Sequence, residues 1–358
     1  MYYNQAIITE LEYIANMPRF SFFDKVLTEK IQQEMFVENT KYFFDRNIKD
    51  AKEFKNDYGR MRYDEVYNKM GLFYFINLHE YMVKQLREMS INSRNDISLK
   101  RSIDNIYELF SIKAQDNVTV LSTAIWMVKD SCVRGNNTYL LTNTGYKSSS
   151  RREINYSLAD GGHKPIKLTS SELNKVEEYY NLLMPIMLRR LDDVPKKNYS
   201  SASSHITEID SLDRSKESSF VRALVALQNA RSSSQLPEKI DHYIQLLQCI
   251  YNLKSSHHIK ATLIEYTTRL LNSKNKESSL SNEDLNNVAK VVKTAFNIRS
   301  KHTHGNKINY NFELIREISI QLDKYVREVL KMILPKKELD YNTKKEAKSV
   351  TDYFEHLF

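Results

Sequence analysis

Apolar residues recur at steps of three and four through the last third of the chain, the spacing of one face of an α-helix. A stretch from about 219 to 231 opens the series. The next, about 237 to 253, starts at Pro237 and turns Ile240, Tyr243, Ile244, Leu247 and Ile250 inward. A third, about 257 to 272, carries Ile259, Leu263, Tyr266 and Leu270, and a last one, about 311 to 334, carries Ile315, Ile318, Leu322, Tyr325, Val329 and Ile333. Between these two, Leu285, Val288, Val292 and Ala295 or Phe296 predict a helix from about Asn282 to His304. Ser281 with Asp284 reads as its capping box and Gly305 as the residue just past its end. Five amphipathic helices with short connections predict an up-and-down bundle.

The same helical spacing runs through the segments ITELEYIANM, DEVYNKMGLFYFINLHEYMVKQLREM and SIDNIYELFSI of the first 135 or so residues. VTVLSTAIWMVKDS is a short apolar run, read as a buried helix around Trp126 with a strand as the alternative. From about 136 to 170, alternation and turn signals at Asn143-Thr144-Gly145 and Asp160-Gly161-Gly162 predict a small β-hairpin, with His163 an exposed loop residue. SSELNKVEEYYNLLMPIMLRRL returns to helix behind an imperfect capping box, Ser171 with Asn174 or Ser170 with Leu173. The serine-rich run that follows reads as a polar linker. The expected fold class is all-α: a mainly helical N-terminal domain over 1–198 with its small hairpin, a linker over 199–217, a helical bundle over 218–337 and a basic tail over 338–358.

Composition narrows the setting. The 358 residues are 41% hydrophobic with 7 Gly and 6 Pro and no long apolar run, which predicts a soluble, mostly helical protein without a membrane span. The first twenty residues lack a basic stretch followed by a continuous apolar one, so no secretory signal is expected. Cys132 and Cys249 fall in different candidate domains, which argues for a reducing cytoplasm. A net charge of +8 favours a polyanionic partner. The pairs Arg151-Arg152, Arg189-Arg190 and Lys196-Lys197 are candidates for tracking an RNA backbone, while the 23 tyrosines scatter along helical stripes and suit core packing. There is no phosphate-cradling glycine loop, no H-E-x-x-H and no C-x2-C, and the adjacent His257 and His258 face apart on a helix. Neither a metal nor a cofactor is called for.

The candidate chemistry lies in Asn297-Ile298-Arg299-Ser300-Lys301-His302-Thr303-His304-Gly305. Arg299 continues the apolar stripe of its helix, where a guanidinium must find an anion or hydrogen-bond acceptors. At about 100 degrees per residue, His302 lies about 60 degrees from Arg299 and His304 about 140 degrees away on the other side. Arg299 and His304 therefore address one ligand only if the last turn loosens, or if two copies of the helix meet across a dimer. The negative end of the helix macrodipole favours imidazolium there, which suits a general acid near neutral pH. A plainer role also fits: an arginine near a helix end snorkels or pairs with a carboxylate, and C-terminal histidines cap carbonyls.

Arg299, four intervening residues, His304 and Gly305 resemble the R-x4-6-H signature of HEPN domains. The surrounding text, FVRALVALQNARSSSQLPEKIDHYIQLLQCIYN, then HHIKATLIEYTTRLL, then AKVVKTAFNIRSKHTHG, resembles the Apea-like branch of that family in order and spacing over about residues 216 to 337. The resemblance implies a dimeric, metal-independent endoribonuclease that cleaves tRNA or mRNA through the RNA's own 2'-hydroxyl. Arg299 would stabilise transition-state charge and His304 would act as acid or base, with His302 and Lys301 as auxiliary candidates by reach. Ser300 stands where many members carry Asn or Asp. Many members also place an acidic residue on an earlier bundle helix, and the matching position is read as Gln248, with Glu265 of the next helix as its substitute. The branch is associated with bacterial defence against phage, which implies a trigger or inhibitor partner and a sensing or substrate-selecting role for residues 1–198. The alternatives are a non-catalytic module that binds RNA or a partner protein, or the toxin of a toxin and antitoxin pair.

Overall fold

The computed structural model describes residues 5–17, 19–28, 31–78, 84, 87–89, 91–92, 96–142, 147–151, 155–187, 218–253, 258–273, 280–307 and 309–336. The chain divides into two units. One takes Met1–Asn155 and His163–Asn181, and the other takes Tyr156–Gly162 and Leu182–Phe358. The predicted linker and the predicted basic tail lie outside the described residues.

The first unit overturns the all-α expectation. It is built on a six-stranded antiparallel sheet in the order β2-β3-β4-β1-β5-β6, so the fold is α+β. The strands are β1 (Gln5–Glu12), β2 (Phe20–Thr28), β3 (Ile31–Asn39), β4 (Met70–Leu78), β5 (Arg134–Thr142) and β6 (Lys147–Arg151). Three short helices, α1 (Thr40–Arg46), α2 (Ile48–Tyr58) and α3 (Arg60–Val66), cover one face, and the long α4 (Ile97–Val128) packs against β1, β5 and β6.

Two helices of the sequence reading are strands in the structure. ITELE belongs to β1, and the segment from Asp64 to Met89 leaves α3 at Val66 and enters β4, its described residues at 84 and 87–89 being helical as read. The physical reason is burial from both sides. Neighbouring residues of these strands point to opposite faces, yet Ile7 and Ile8 are both buried, as are Leu72, Phe73, Tyr74 and Phe75. A strand covered on both faces loses its polar alternation and cannot be told from a buried helix by periodicity. On the α1–α3 face, Phe36 stacks on Phe73 and Phe75 with ring centroids 5.1 and 5.5 Å apart, and Phe43, Phe44, Phe54 and Tyr63 close over them. On the other side a Cβ at Gly135 would sit 2.8 Å from the Val118 side chain, so α4 lies too close to β5 there for any larger residue. The predicted hairpin is real as the β5–β6 pair, though its turn lies outside the described residues, and Trp126 is buried in α4 as expected for a helix. Helix α5 (Ser170–Met187) is capped one residue earlier than read, because Thr169 and Glu172 bond reciprocally: the Glu172 carboxylate accepts from the Thr169 N–H at 2.7 Å.

The second unit is the helical bundle: α6 (Ser219–Ser232), α7 (Leu236–Ile250), α8 (Ile259–Asn272), α9 (Asn282–Thr303) and α10 (Phe312–Ile333). Each lies within a few residues of its predicted span. Helix α7 packs against α6, α9 and α10, burying Ile240, Tyr243, Ile244, Leu246, Leu247 and Ile250. The segment Tyr156–Gly162 is knitted to this bundle. Ser157 donates its N–H to the Arg231 carbonyl at 2.8 Å, Ser319 donates its hydroxyl to the Ala159 carbonyl at 2.6 Å, and the Arg231 guanidinium covers the Tyr156 ring.

The bundle core holds charge as well as hydrocarbon. Asp323, 1% exposed, accepts a hydrogen bond from Tyr243 at 2.6 Å and pairs with Arg327 one turn along α10. Removing one partner of a buried pair leaves the other charge poorly compensated. Asp323→Ala is therefore expected to cost about 3 kcal/mol, and Tyr243→Phe, which removes one donor, about 1 kcal/mol. Urea unfolding of the two variants checks this, and equal costs would contradict the assignment of Asp323 as the centre of the cluster.

Candidate functional site

Helix α9 has strong stop signals at both ends. The Ser281 side chain accepts from the Asp284 N–H at 3.1 Å, while the Asp284 carboxylate accepts from the Ser281 N–H at 2.8 Å and pairs with Lys324 of α10 at 2.6 Å. Burial pushes the Asp284 carboxyl up, but the Lys324 ammonium and the Ser281 donors outweigh it and the net shift is downward. At the other end Gly305 takes φ +66°, its N–H donates to the His302 carbonyl at 3.1 Å, and the Asn306 N–H donates to the Lys301 carbonyl at 2.8 Å. This pair of bonds is a Schellman turn. A Cβ on Gly305 would meet nothing within 4 Å, so the demand for glycine there is conformational.

Between these ends the buried stripe runs through Val288, Val291, Val292, Ala295 and Ile298. Ile298 takes the core position and Arg299 lies on its shoulder, its side chain 30% exposed, which corrects the placement of Arg299 in the middle of the apolar face. The guanidinium turns toward α7. Its Nε donates to Oδ1 of Asp241 at 3.0 Å, and the other oxygen of that carboxylate accepts from the Thr303 hydroxyl at 3.4 Å and lies 3.9 Å from Nδ1 of His302. One carboxylate thus gathers three side chains from the last turns of α9. Engagement through Nε leaves the Nη groups of Arg299 with no hydrogen bond to a described residue. The half-exposed guanidinium is therefore oriented and still able to receive an anion.

His304 is the C-cap residue, exposed, with φ −89° and ψ 6°. The helix stays regular through Thr303, so the loosening is confined to this single residue. Among the described residues no side chain bonds its imidazole, and Asp241 gathers Arg299 and His302 but not His304. Lys301 lies 5.2 Å from the centre of the Tyr310 ring, and Lys260 of α8 reaches the Asn297 side chain at 2.7 Å. The last turns of α9 thus carry Arg299, Lys301 and two histidines, with Lys260 of α8 bonded alongside.

Neither of the positions read as the acidic partner pairs with Arg299. Gln248 is partly buried on α7, seven residues past Asp241, and Glu265 pairs with Arg269 at 2.7 Å on an exposed face of α8. The missed residue is Asp241. It lies two helical turns before Gln248 on the same side of the same helix, so the face was legible and the turn was not. The discriminating signal is the residue type, since Asp241 is the one carboxylate between Glu238 and Asn252. Of the basic pairs, Arg151 lines a cleft of the first unit, while Arg152, Arg189 and Arg190 lie outside the described residues. Among the described residues no group of three or more His, Cys, Asp or Glu is placed to hold a metal ion, and no helix is long and apolar enough to cross a membrane. No family model, curated protein or solved structure matches the chain.

The cap of α9 makes a pH prediction. Asp284 titrates below its ordinary value of 3.8 in the folded protein, so its stabilisation is complete above the unfolded-state value and is lost as pH falls through the folded one. Asp284→Asn should cost about 1 kcal/mol at neutral pH, and the gap from wild type should narrow as pH falls below about 4. Thermal melts across that range read it out; a gap independent of pH would remove the carboxylate from the explanation.

Proposed function

We propose that the chain is a HEPN-type, metal-independent endoribonuclease that works as a homodimer through the Arg299 face. The observation that carries this reading is the Arg299–Asp241 pair, which holds a half-exposed guanidinium one turn from two exposed histidines at a helix C-terminus. The five-helix bundle and the R-x4-H spacing support it. Cleavage of RNA by its own 2'-hydroxyl needs no protein nucleophile. The 2'-oxygen attacks phosphorus, its proton passes to a base, the bond to the 5'-oxygen breaks, and that oxygen takes a proton from an acid, leaving a 2',3'-cyclic phosphate and a 5'-hydroxyl. Arg299 supplies Nη donors to the crowded phosphate. His304 supplies one proton-transfer group, and its counterpart in a second copy of the chain supplies the complementary one, which makes the dimer the catalytic unit. Asp241 is a positioning residue that aims the guanidinium.

The substrate in this reading is tRNA or mRNA, and the setting is abortive infection in the cytoplasm, with the first unit answering a phage-derived trigger or an inhibitor partner. One observation favours a second reading. Arg299 is already paired by Asp241, as a structural arginine would be, and a bundle with such a pair serves equally as a non-catalytic module that holds RNA phosphates.

Purified full-length protein incubated with total tRNA and a structured mRNA in EDTA tests the proposal. Cleavage with 2',3'-cyclic phosphate ends is expected, falling about 100-fold or more in His304→Ala and Arg299→Ala, with a smaller loss in Asp241→Asn. Tight RNA binding without cleavage, shared by wild type and His304→Ala, would replace the nuclease with the binding module.

A further inference from the structure

The α1–α3 face of the sheet is apolar over most of its width and changes character at one end. Cross-strand register places Asn137 opposite Arg151 and Tyr139 opposite Ser149, and strand alternation puts all four on one side of the sheet. Glu10 of β1 joins them and is fully buried. Its Oε1 accepts from the Tyr139 hydroxyl at 2.9 Å and from the Asn137 amide at 3.2 Å, and its Oε2 pairs with Lys69 at 2.8 Å. Above this floor, Arg62 and Glu65 of α3 form the opposite wall. The space enclosed is a cleft of about 450 Å³, within the range of small-molecule sites.

The chemistry of the lining selects the ligand. Three cations, Arg62, Lys69 and Arg151, line the cleft beside one carboxylate, Glu65, with Glu10 buried beneath them. Both carboxylates already accept from a cation, which disfavours a metal ion. The remaining donors are the Ser149 hydroxyl and the Asn136 amide, which also reaches Glu12 at 2.9 Å, while the Ser150 side chain turns to the other face and accepts from Gln115 of α4 at 2.7 Å. Among the described residues no aliphatic side chain lines the space, which disfavours an apolar ligand. Guanidinium forks beside hydroxyls and amides are the donor set for phosphate oxygens, and the volume suits a mononucleotide-sized molecule.

We propose that the cleft between α3 and strands β5 and β6 binds a small phosphate-bearing molecule, with Arg62 and Arg151 on its phosphate and the Glu10-anchored floor holding Lys69, Tyr139 and Asn137 in place. The site lies wholly within the first unit and does not depend on the nuclease reading.

Titration calorimetry of the full chain with AMP, inorganic phosphate and adenosine tests it. AMP or inorganic phosphate should bind and raise the melting temperature with concentration, while adenosine should bind at least about tenfold more weakly than AMP. Arg151→Gln and Arg62→Gln, both at exposed positions and so compatible with folding, should each weaken phosphate binding about tenfold, and Arg60→Gln, on the same helix but outside the cleft, should not. Adenosine binding as well as AMP, binding undiminished in both cleft variants, or no binding of either phosphate probe to folded protein would each overturn the proposal.

Discussion

The second unit depends on the central position of α7. Six of its apolar side chains are buried against α6, α9 and α10, and that packing fixes the rotation of the helix about its axis. Three polar residues at alternate positions are then delivered to three different neighbours. Lys239, fully buried, donates to the Ala230 carbonyl near the end of α6 at 2.7 Å, Asp241 meets Arg299 of α9, and Tyr243 meets Asp323 of α10. A buried ammonium and a buried carboxylate tolerate no slippage, because each would lose its partner in an environment without water. The geometry around Arg299 is thus a by-product of how the core is keyed.

The first unit solves a similar problem with a sheet. Glu10 sits fully buried on the central strand β1, where a carboxylate is costly, and is satisfied by donors from β5 and by Lys69 from the turn before β4. The aromatic cluster beside it supplies the apolar burial that a charged floor cannot. Both units therefore place one carboxylate where it organises basic groups, Asp241 around Arg299 and Glu10 around Lys69. The two differ in access: Asp241 is a quarter exposed at a helix end, while Glu10 lies beneath a cleft.

Legibility followed the reach of the contacts. The bundle helices could be read because each is stabilised through its own 3.6-residue stripe and its own end signals: Ser281 with Asp284, Pro237 at the first turn of α7, Gly305 past the end of α9. Strands β1 and β4 could not, because β1 is held by β4 and β5, about 60 and 130 residues away, and two-sided burial erases the alternation that marks a strand. The α5 cap was displaced by one residue for a smaller reason, since several Ser and Thr stand together before Glu172 and only the backbone geometry chooses among them.

For the candidate site, the local text determined the helix, its stop at Gly305 and the basic residues of its last turns, all of which depend on neighbours within a few positions. Tertiary structure alone decided that Arg299 sits on the shoulder of the stripe, that Ile298 takes the core position, and that Asp241 rather than Gln248 or Glu265 faces the guanidinium. A stripe read along one helix locates a face to within a residue or so. Which residue of the facing helix meets it is set by how far the two helices slide and turn against each other, and that is fixed by core packing spread over the whole bundle.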